Sequence, residues 1–289
     1  MVFILVMIIA CTKSDHVRFS AVGDTPYFDS DVELEFLVES FEDMEKNSIP
    51  FVVHIGDIFS GRTNCSIELY EVRSSVFSKS PIPFLITVGD NEYSDCRDST
   101  DAQHLFRTII LKTPPLQQSI SGLNKKVKPV VVTRQKEMIE NAVWNYKNIM
   151  FAMLVLPDLP GDYPLSPNTI STIFRANISF MQKNFTDAIR NNRDSMVLFM
   201  HSNPVGCIVE GCEEFRNSLL EGIIKFGKPV MLINGSVHSR EFIDGGFLEI
   251  PHLSHLRPGD EPEVSWPEII FSTEKNKFLV KWHEAKESY

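Results

Sequence analysis

The sequence is poor in positive charge. Its 289 residues include 28 Lys and Arg against 38 Asp and Glu, which gives a formal net charge of -10. Because nucleic-acid backbones are bound mainly through clustered Lys and Arg, this balance disfavours a nucleic-acid partner. The basic cluster NKKVK at 124–128 is short and is typical of a solvated loop.

The first segment of the sequence, MVFILVMIIA, is apolar but stops at Cys11. A run of this length is too short to cross a bilayer as a helix. This run fits the apolar core of a secretory signal, and IIAC resembles the lipobox of bacterial lipoproteins. We therefore expect residues 1–11 to be a leader for export, with membrane attachment only through a lipid on Cys11. The protein would then be periplasmic or membrane-anchored in a bacterium, and secreted in a eukaryote. A buried first strand is the alternative.

Cysteine is sparse, and its pattern supports export. Four cysteines remain beyond the leader and allow three pairings: Cys65, Cys96, Cys207 and Cys212. Cys65 and Cys96 each follow a Gly-Asp pair, which places them at the same end of neighbouring strands and favours a bridge between them. Cys207 and Cys212 would then pair locally. Four free thiols are the alternative.

The first third of the chain alternates strands and helices. VRFSAVGD, FVVHIGD and IPFLITVGD are predicted strands, and they precede predicted helices at 31–47, at 66–78 and from about 100. The rest of the chain predicts strands at NIMFAMLVLP, MVLFMH, VMLING and KFLVKWHE, and helices at 169–193 and 212–226. Continuous apolar runs such as MVLFM indicate strands covered on both faces. No repeat signature or long linker divides the chain, so we expect one α/β domain over 15–286.

Each of the first three strands ends in Gly-Asp, at Asp24, Asp57 and Asp90. Helix capping is a common role for such aspartates. Here, however, the capping signals stand closer to the helices, in SDVE at 30–33, at Ser66 and in TDAQ at 100–103. Ligands of open α/β sheets bind beyond the carboxyl ends of the strands. Carboxylates gathered there repel one another unless a cation neutralises them, so the pattern indicates a divalent metal.

Two later strands carry histidines at the corresponding place. MVLFMH ends in His201, and VMLING runs into GSVH, which ends at His238. Carboxylates combined with imidazoles suit Mn, Fe, Zn or Mg. The sequence therefore predicts a metal site at five strand ends, formed by Asp24, Asp57, Asp90, His201 and His238.

Taken in order, these motifs resemble those of the calcineurin-like metallophosphoesterases, which read GDxH, GD, GNH(E/D), H and GHxH. The resemblance covers about 17–245, and GDTPY, GDIFSGRTNC, GDNEYSDC and ENAVW are similar to a divergent branch. It implies an α/β fold of four layers, α/β/β/α, in which a β-sandwich is flanked by helices. It also implies hydrolysis of a small phosphoester through in-line attack by a metal-bound hydroxide, with two divalent ions, or only one.

The resemblance also implies roles for single residues. Asp24 and His238 would bind the first metal, Asp57 would bridge the two metals, and Asp90 with His201 would bind the second. Asn91 stands where a histidine usually serves the leaving group. His54 is a candidate catalytic substitute, and its alternative role is that of a core histidine bonded to the backbone.

This sequence departs from the family pattern where Pro26, Asn91 and Ser236 replace histidines. Metal affinity should fall, because proline offers no ligand atom and serine is a weak ligand. Loss of a histidine acid removes an effect worth roughly 10²- to 10⁴-fold. Two functions therefore stay open: a weak or narrow phosphoesterase, and a catalytically impaired relative that acts as an exported binding or scaffold protein. A cell-surface interaction module is a third.

The sequence does not identify the oligomeric state or the substrate. We expect specificity to lie in loops at 58–65, 92–99 and 113–135, with 251–266 as a further border of the site. His252 and His255 are expected in loops or at the surface.

Overall fold

The computed structural model describes residues 16–27, 31–96, 99–113, 130–159, 161–162, 165–259 and 264–284. The expected leader at 1–11, including Cys11, and the basic cluster at 124–128 lie outside the described residues. Within the described ranges, no helix combines the length and the apolar character that a membrane span requires.

The described residues form twelve strands and five α-helices. The strands are β1 (Val17–Val22), β2 (Val52–His54), β3 (Phe84–Ile86), β4 (Thr133–Arg134), β5 (Ala142–Tyr146), β6 (Ile149–Met153), β7 (Ser195–Phe199), β8 (Val230–Ile233), β9 (Glu241–Ile243), β10 (Leu253–Arg257), β11 (Val264–Ser272) and β12 (Lys277–Glu284). The helices are α1 (Asp31–Lys46), α2 (Ile67–Phe77), α3 (Ser99–Thr108), α4 (Pro167–Arg190) and α5 (Cys212–Phe226). Short 3-10 helices occur at Ile110–Lys112 and Phe247–Glu249.

The strands form two mixed sheets. One has the order β12-β11-β1-β2-β3, and the other has the order β4-β5-β6-β7-β8-β10-β9. β1, β2 and β3 are parallel neighbours, and so are β6, β7, β8 and β10. The carboxyl ends of parallel neighbours lie at the same edge of a sheet. The Gly-Asp pairs after β1, β2 and β3 therefore share one edge.

Apolar clusters fill the spaces between four layers. Between the two sheets, Phe19 of β1 packs edge-on against Phe151 of β6, with ring centroids 5.1 Å apart. On the outer side of the five-stranded sheet, Phe41 of α1 packs on Phe84 of β3 at 5.4 Å. The apolar faces of α4 and α5 pack on the outer side of the seven-stranded sheet. This order confirms the predicted α/β/β/α sandwich.

The helices begin and end close to the predicted positions. Ser66 caps α2, since its Oγ accepts a hydrogen bond from Leu69 N at 3.3 Å. α4 begins two residues before the prediction, because Ser166 caps it. α5 ends at Gly227, whose φ of 64° lies in the left-handed region that favours glycine. The predicted capping residue Ser30 lies outside the described residues.

The middle of the chain is more regular than the sequence indicated. It contains the strand β5, which was not predicted. Its Trp144 is 1% exposed and stacks on Phe151 and Phe199, with ring centroids 5.5 and 5.9 Å away. These contacts come from the paired strand β6 and from the more distant β7, so they form only when the strands come together.

The expectation for His255 was wrong. His255 lies on β10, is 1% exposed, and its Nε2 lies 2.5 Å from Asn234 Oδ1. Its Nδ1 lies 3.3 Å from Glu241 Oε2. These polar partners from neighbouring segments offset the cost of burying an imidazole. His252 lies in the turn before β10, in agreement with the expectation.

Candidate metal centre

The structure brings four of the five predicted ligands together. Single ligand atoms of Asp24, Asp57 and His201 lie within 4.8 Å of one another, and all three residues are buried. His201 follows β7 in the other sheet, and its Nε2 lies 2.7 Å from Asp90 Oδ1 and 3.4 Å from Asp57 Oδ1. The cluster is therefore assembled from the facing ends of both sheets.

His201 has one ring nitrogen on the backbone and the other beside two carboxylates. Its Nδ1 lies 3.0 Å from the backbone oxygen of Ile55, to which it donates its proton. Nε2 then points toward the carboxylates of Asp57 and Asp90. Neither this buried Nε2 nor Asp90 Oδ1 has a hydrogen-bond partner of acceptable geometry among the described residues. Metal-binding histidines commonly donate their second nitrogen to a carbonyl in this way, so the residues present fit a divalent cation.

The charges of the cluster perturb one another. Burial raises the pKa of Asp57 well above its ordinary value, and the charges of Asp90, Glu92 and Asp24 raise it further against the effect of His201. Burial by itself would lower the pKa of His201, but Asp57, Asp90 and Asp24 raise that pKa well above its usual range. Burial opposes ionisation of Asp90, yet contact with His201 lowers the pKa of Asp90. A bound cation would relieve this crowding of negative charge.

Close packing explains the glycines of the Gly-Asp pairs. A Cβ at Gly89 would lie 2.0 Å from Asp57 Oδ1, and a Cβ at Gly56 would lie 2.4 Å from Gly89 N. Gly56 also has a φ of 101°. Asp24 and Asp57 have φ values of 54° and 57°, in the left-handed region that non-glycine residues occupy infrequently. The aspartates thus project from tight turns that pack directly on one another.

Asn91 positions Asp57. Its backbone N–H donates to Asp57 Oδ1 at 3.2 Å, and its side-chain Nδ2 donates to Asp57 Oδ2 at 2.8 Å. Nδ2 also donates to the backbone oxygen of Phe59 at 2.7 Å. Both amide protons are therefore occupied within the protein. Asn91 also lines the cavity over the cluster, and a catalytic role for it stays a prediction.

Glu92 is a buried part of the site to which the sequence assigned no role. Its carboxylate accepts hydrogen bonds from the backbone N–H groups of Asp57, Ile58 and Gly89, at 3.2, 2.7 and 3.0 Å. Burial raises its pKa to about 7. Glu92 links the turns after β2 and β3, and its place in GDNE was the available sequence signal.

His54 is a core histidine. It is fully buried, its Nε2 donates to the backbone oxygen of Thr25 at 2.5 Å, and its Nδ1 accepts from Gly56 N at 3.1 Å. Burial lowers its pKa to about 4, so the ring is neutral near pH 7. Backbone groups occupy both nitrogens, which agrees with the alternative role of a core histidine; a catalytic role for His54 stays a prediction.

His238 lies outside the tight cluster. It is exposed, and its ring stands edge-on to Tyr27 with centroids 4.8 Å apart. Burial raises the pKa of Tyr27, whose hydroxyl is in hydrogen-bonding contact with the side chains of Asn91 and Ser60. Both His238 and Tyr27 line the cavity above the cluster. Metal binding by His238 stays a prediction.

A cavity of about 370 Å³ opens over the cluster. It is lined by Asp57 and Asp90, and Arg62 is its only Lys or Arg side chain among the described residues. It is also lined by three aspartates that the sequence analysis did not assign: Asp95, Asp158 and Asp162. A larger cavity, of about 820 Å³, lies between α4 and the start of α5 and contains none of the predicted site residues.

Two disulfides are present, with the pairing that the sequence favoured. Cys65 pairs with Cys96, and Cys207 pairs with Cys212. The Cys65–Cys96 bridge joins the loops that follow Asp57 and Asp90. Cys96 Sγ lies 3.1 Å from the backbone oxygen of Asn91, so this bridge touches the residue that positions Asp57.

No protein-family model matches the sequence. No curated protein matches it either. Solved structures match nearly the whole chain. GAP50, described as the anchor in the inner membrane complex of Plasmodium, has a TM-score of 0.57 at 15% identity, over 95% of this chain and 86% of its own. A dimetal phosphatase from Danio rerio has a TM-score of 0.57 at 12% identity, over 93% of this chain and 97% of its own.

Purple acid phosphatase from yellow lupin (Lupinus luteus) seeds has a TM-score of 0.54 at 13% identity, over 96% of this chain and 53% of its own. At such identities the similarity shows the fold alone. The two sheets, their flanking helices and these matches agree with the fold that the motifs predicted. The chain therefore has the fold of the calcineurin-like metallophosphoesterases.

Proposed function

We propose that this chain is a metal-dependent phosphoesterase that hydrolyses a small phosphoester. One observation carries the proposal: the buried cluster of Asp24, Asp57 and His201, with Asp90 against His201, at strand ends of a fold shared with metallophosphatases. His201 Nε2 and the crowded carboxylates give this cluster the chemistry of a cation site, because a cation would replace the proton on Nε2 and neutralise the carboxylates.

Asp24, Asp57, Asp90 and His201 would hold one or two divalent ions such as Mn, Fe, Zn or Mg, with His238 as a further donor at the cavity wall. An ion held there would neutralise phosphoryl oxygens and lower the pKa of water.

The other residues of the site orient these ligands and the substrate. Asn91 holds both carboxylate oxygens of Asp57, and Glu92 holds the two turns together. Arg62 lines the cavity and is placed to contact a phosphate oxygen. His54 is occupied by the backbone and supplies no acid for the leaving group. We therefore expect activated esters, whose leaving groups need no proton, to be the best substrates.

We also propose that the protein is exported. Its two disulfides support this, because disulfides persist mainly in oxidising compartments. The apolar first ten residues and Cys11 support the same conclusion from the sequence.

The test is hydrolysis of p-nitrophenyl phosphate and bis-p-nitrophenyl phosphate by the full chain with Mn²⁺, Zn²⁺ or Mg²⁺. We expect turnover that EDTA removes and that Asp57→Asn abolishes. Asp244→Asn is the matched control, because Asp244 is exposed and pairs with Lys277. Turnover should persist in this control.

Metal binding without turnover would reject the enzyme and favour the scaffold function. That alternative is motivated by the lost histidines at Pro26, Asn91 and Ser236. A chain that shows no metal binding and no turnover would reject the proposal altogether.

A further inference from the structure

We propose that Asp158 is an additional carboxylate ligand of the cation held by this cluster, and that it takes over from the donor missing at Ser236. The inference deepens the proposed function, because it rests on the same metal site. It names a ligand that the motifs do not contain.

Two serines hold the Asp158 carboxylate in place. Ser202 Oγ donates to Asp158 Oδ1, and Ser236 Oγ donates to Asp158 Oδ2. Ser202 directly follows His201 in the chain, and Ser236 N donates to Asp24 Oδ1 at 3.2 Å. Both oxygens of Asp158 are thus fixed by loops that carry or contact the predicted metal ligands.

The position of Asp158 follows from the topology. β6 is parallel to β7, and β7 is parallel to β8. The residues that follow these strands therefore come to one edge: Asp158 after β6, His201 after β7 and Ser236 after β8. The same topology places Asp158 on the wall of the cavity that Asp57 and Asp90 also line.

The contacts of Asp158 leave it able to bind a cation. A carboxylate oxygen has two lone pairs, and each oxygen of Asp158 gives one of them to a serine. Ser236 has a shorter side chain than the histidine expected at this position. The carboxylate of Asp158 contacts Ser236 Oγ, so it occupies the space that a histidine side chain at 236 would reach. A separate observation points to a cation beneath this cavity. The buried Nε2 of His201 has no hydrogen-bond partner of acceptable geometry among the described residues, and it lies beside Asp90, which lines the cavity.

This ligand set would be rich in oxygen. Asp24, Asp57, Asp90 and Asp158 provide carboxylates, and His201 provides an imidazole. Carboxylates suit Mn²⁺ and Mg²⁺, whereas imidazole-rich sites suit Zn²⁺. Loss of Asp158 should therefore weaken Mn²⁺ binding more than Zn²⁺ binding.

The test compares two aspartates of one cavity. Metal-free full chain is titrated with Mn²⁺, and free Mn²⁺ is followed by electron paramagnetic resonance. Asp158→Asn keeps the side-chain size and removes the charge, so we expect Mn²⁺ affinity to fall by about tenfold or more. Asp162→Asn removes an equal charge from the same cavity wall. Asp158 and Asp162 are both exposed, so screening by solvent acts on both charges. Only Asp158 is bonded to Ser202 and Ser236, so we expect a change of about threefold or less for Asp162→Asn.

A second readout separates ligation from structural support. The visible spectrum of the Co²⁺-loaded chain reports on the atoms bound to the metal, so it should change in Asp158→Asn and stay unchanged in Asp162→Asn. Circular dichroism checks that both variants fold. If Asp158→Asn does not fold, Ser202→Ala is used instead, since it releases one oxygen and keeps the charge. It should also lower Mn²⁺ affinity.

Equal Mn²⁺ affinities in the Asp158 and Asp162 variants, or a Co²⁺ spectrum that Asp158→Asn leaves unchanged, would overturn the inference. The readouts do not depend on turnover. A wild-type chain that shows the Asp158 effect but hydrolyses no ester would reject the proposed function and keep this inference. A chain that hydrolyses esters but shows no effect of Asp158→Asn would keep the proposed function and reject this inference.

Discussion

The backbone amide and the side-chain amide of Asn91 hold the two carboxylate oxygens of Asp57, at 3.2 and 2.8 Å. Asn91 thereby fixes the direction in which Asp57 presents its remaining lone pairs. Asn91 therefore supports the orientation of a predicted metal ligand.

This relationship predicts the effect of Asn91→Ala. Without the amide, Asp57 can rotate, and we expect Mn²⁺ affinity to fall by about tenfold, as is typical when a ligand loses a hydrogen-bond partner. Isothermal titration calorimetry measures the change. Asn168→Ala, at an exposed position of α4, is the control. Equal affinities in both variants would show that Asn91 does not position Asp57.

Gly89→Ala should damage the site more than a similar change elsewhere. A Cβ at Gly89 would lie 2.0 Å from Asp57 Oδ1 and 2.4 Å from Asp57 N. The two turns must move apart, so we expect a loss of about 1 to 3 kcal/mol in unfolding free energy together with weaker metal binding. Gly206→Ala is the control, because its Cβ would meet only Asn203 O, at 3.8 Å. Urea unfolding of both variants tests this, and similar stabilities would contradict it.

The two disulfides should contribute unequally to stability. Cys65–Cys96 spans a separation of 31 residues, whereas Cys207–Cys212 spans 5. Restriction of the unfolded chain then gives about 3 to 4 kcal/mol for the first bridge and about 2 kcal/mol for the second. We expect the double Cys→Ser variant at 65 and 96 to unfold at lower urea than the one at 207 and 212. It should also bind Mn²⁺ more weakly, since Cys96 contacts Asn91. The reverse order of stability would argue against this account.

His255 should make stability depend on pH. Burial lowers its pKa from 6.5 to about 4, against the effect of Glu241. Because the folded-state pKa lies below the unfolded-state value, the unfolded chain binds more protons between these limits. The stability contributed by neutral His255 is therefore present above pH 6.5 and is lost as the pH falls toward 4.

Between pH 7 and pH 5, this linkage amounts to about 2 kcal/mol of unfolding free energy. We expect wild type to lose that much more stability than His255→Gln over this range, as measured by urea unfolding at both pH values. Asn168→Ala, at an exposed position without a titratable side chain, is the control and should keep the wild-type slope. Identical slopes for wild type and His255→Gln would refute the assignment.

Much of the fold was predictable from local patterns. The apolar runs of β7 and β8 indicated strands buried on both faces, and every residue of both strands is buried. Ser66 marked the start of α2. β5 was not predicted, because its Trp144 is buried by Phe151 of β6 and Phe199 of β7, and these contacts form only when the strands come together.

The candidate site was predictable in part. Asp24, Asp57, Asp90 and His201 were found because each follows an apolar run that ends at the same edge of the fold. Whether a side chain at such an edge faces the cavity or the interior depends on its partners in space. His54 hydrogen-bonds to backbone groups, and His238 lines the cavity outside the buried cluster.

The sequence by itself determined which segments become strands and which residues stand at their ends, because hydrophobic runs and the need for glycine in tight turns act locally. Only the tertiary structure decided which of those ends meet. His201 reaches Asp57 and Asp90 because the two sheets pack face to face, and Asp158 reaches Ser202 and Ser236 because β6, β7 and β8 run in parallel. Such encounters depend on the packing of residues far apart in the chain, which no local pattern records.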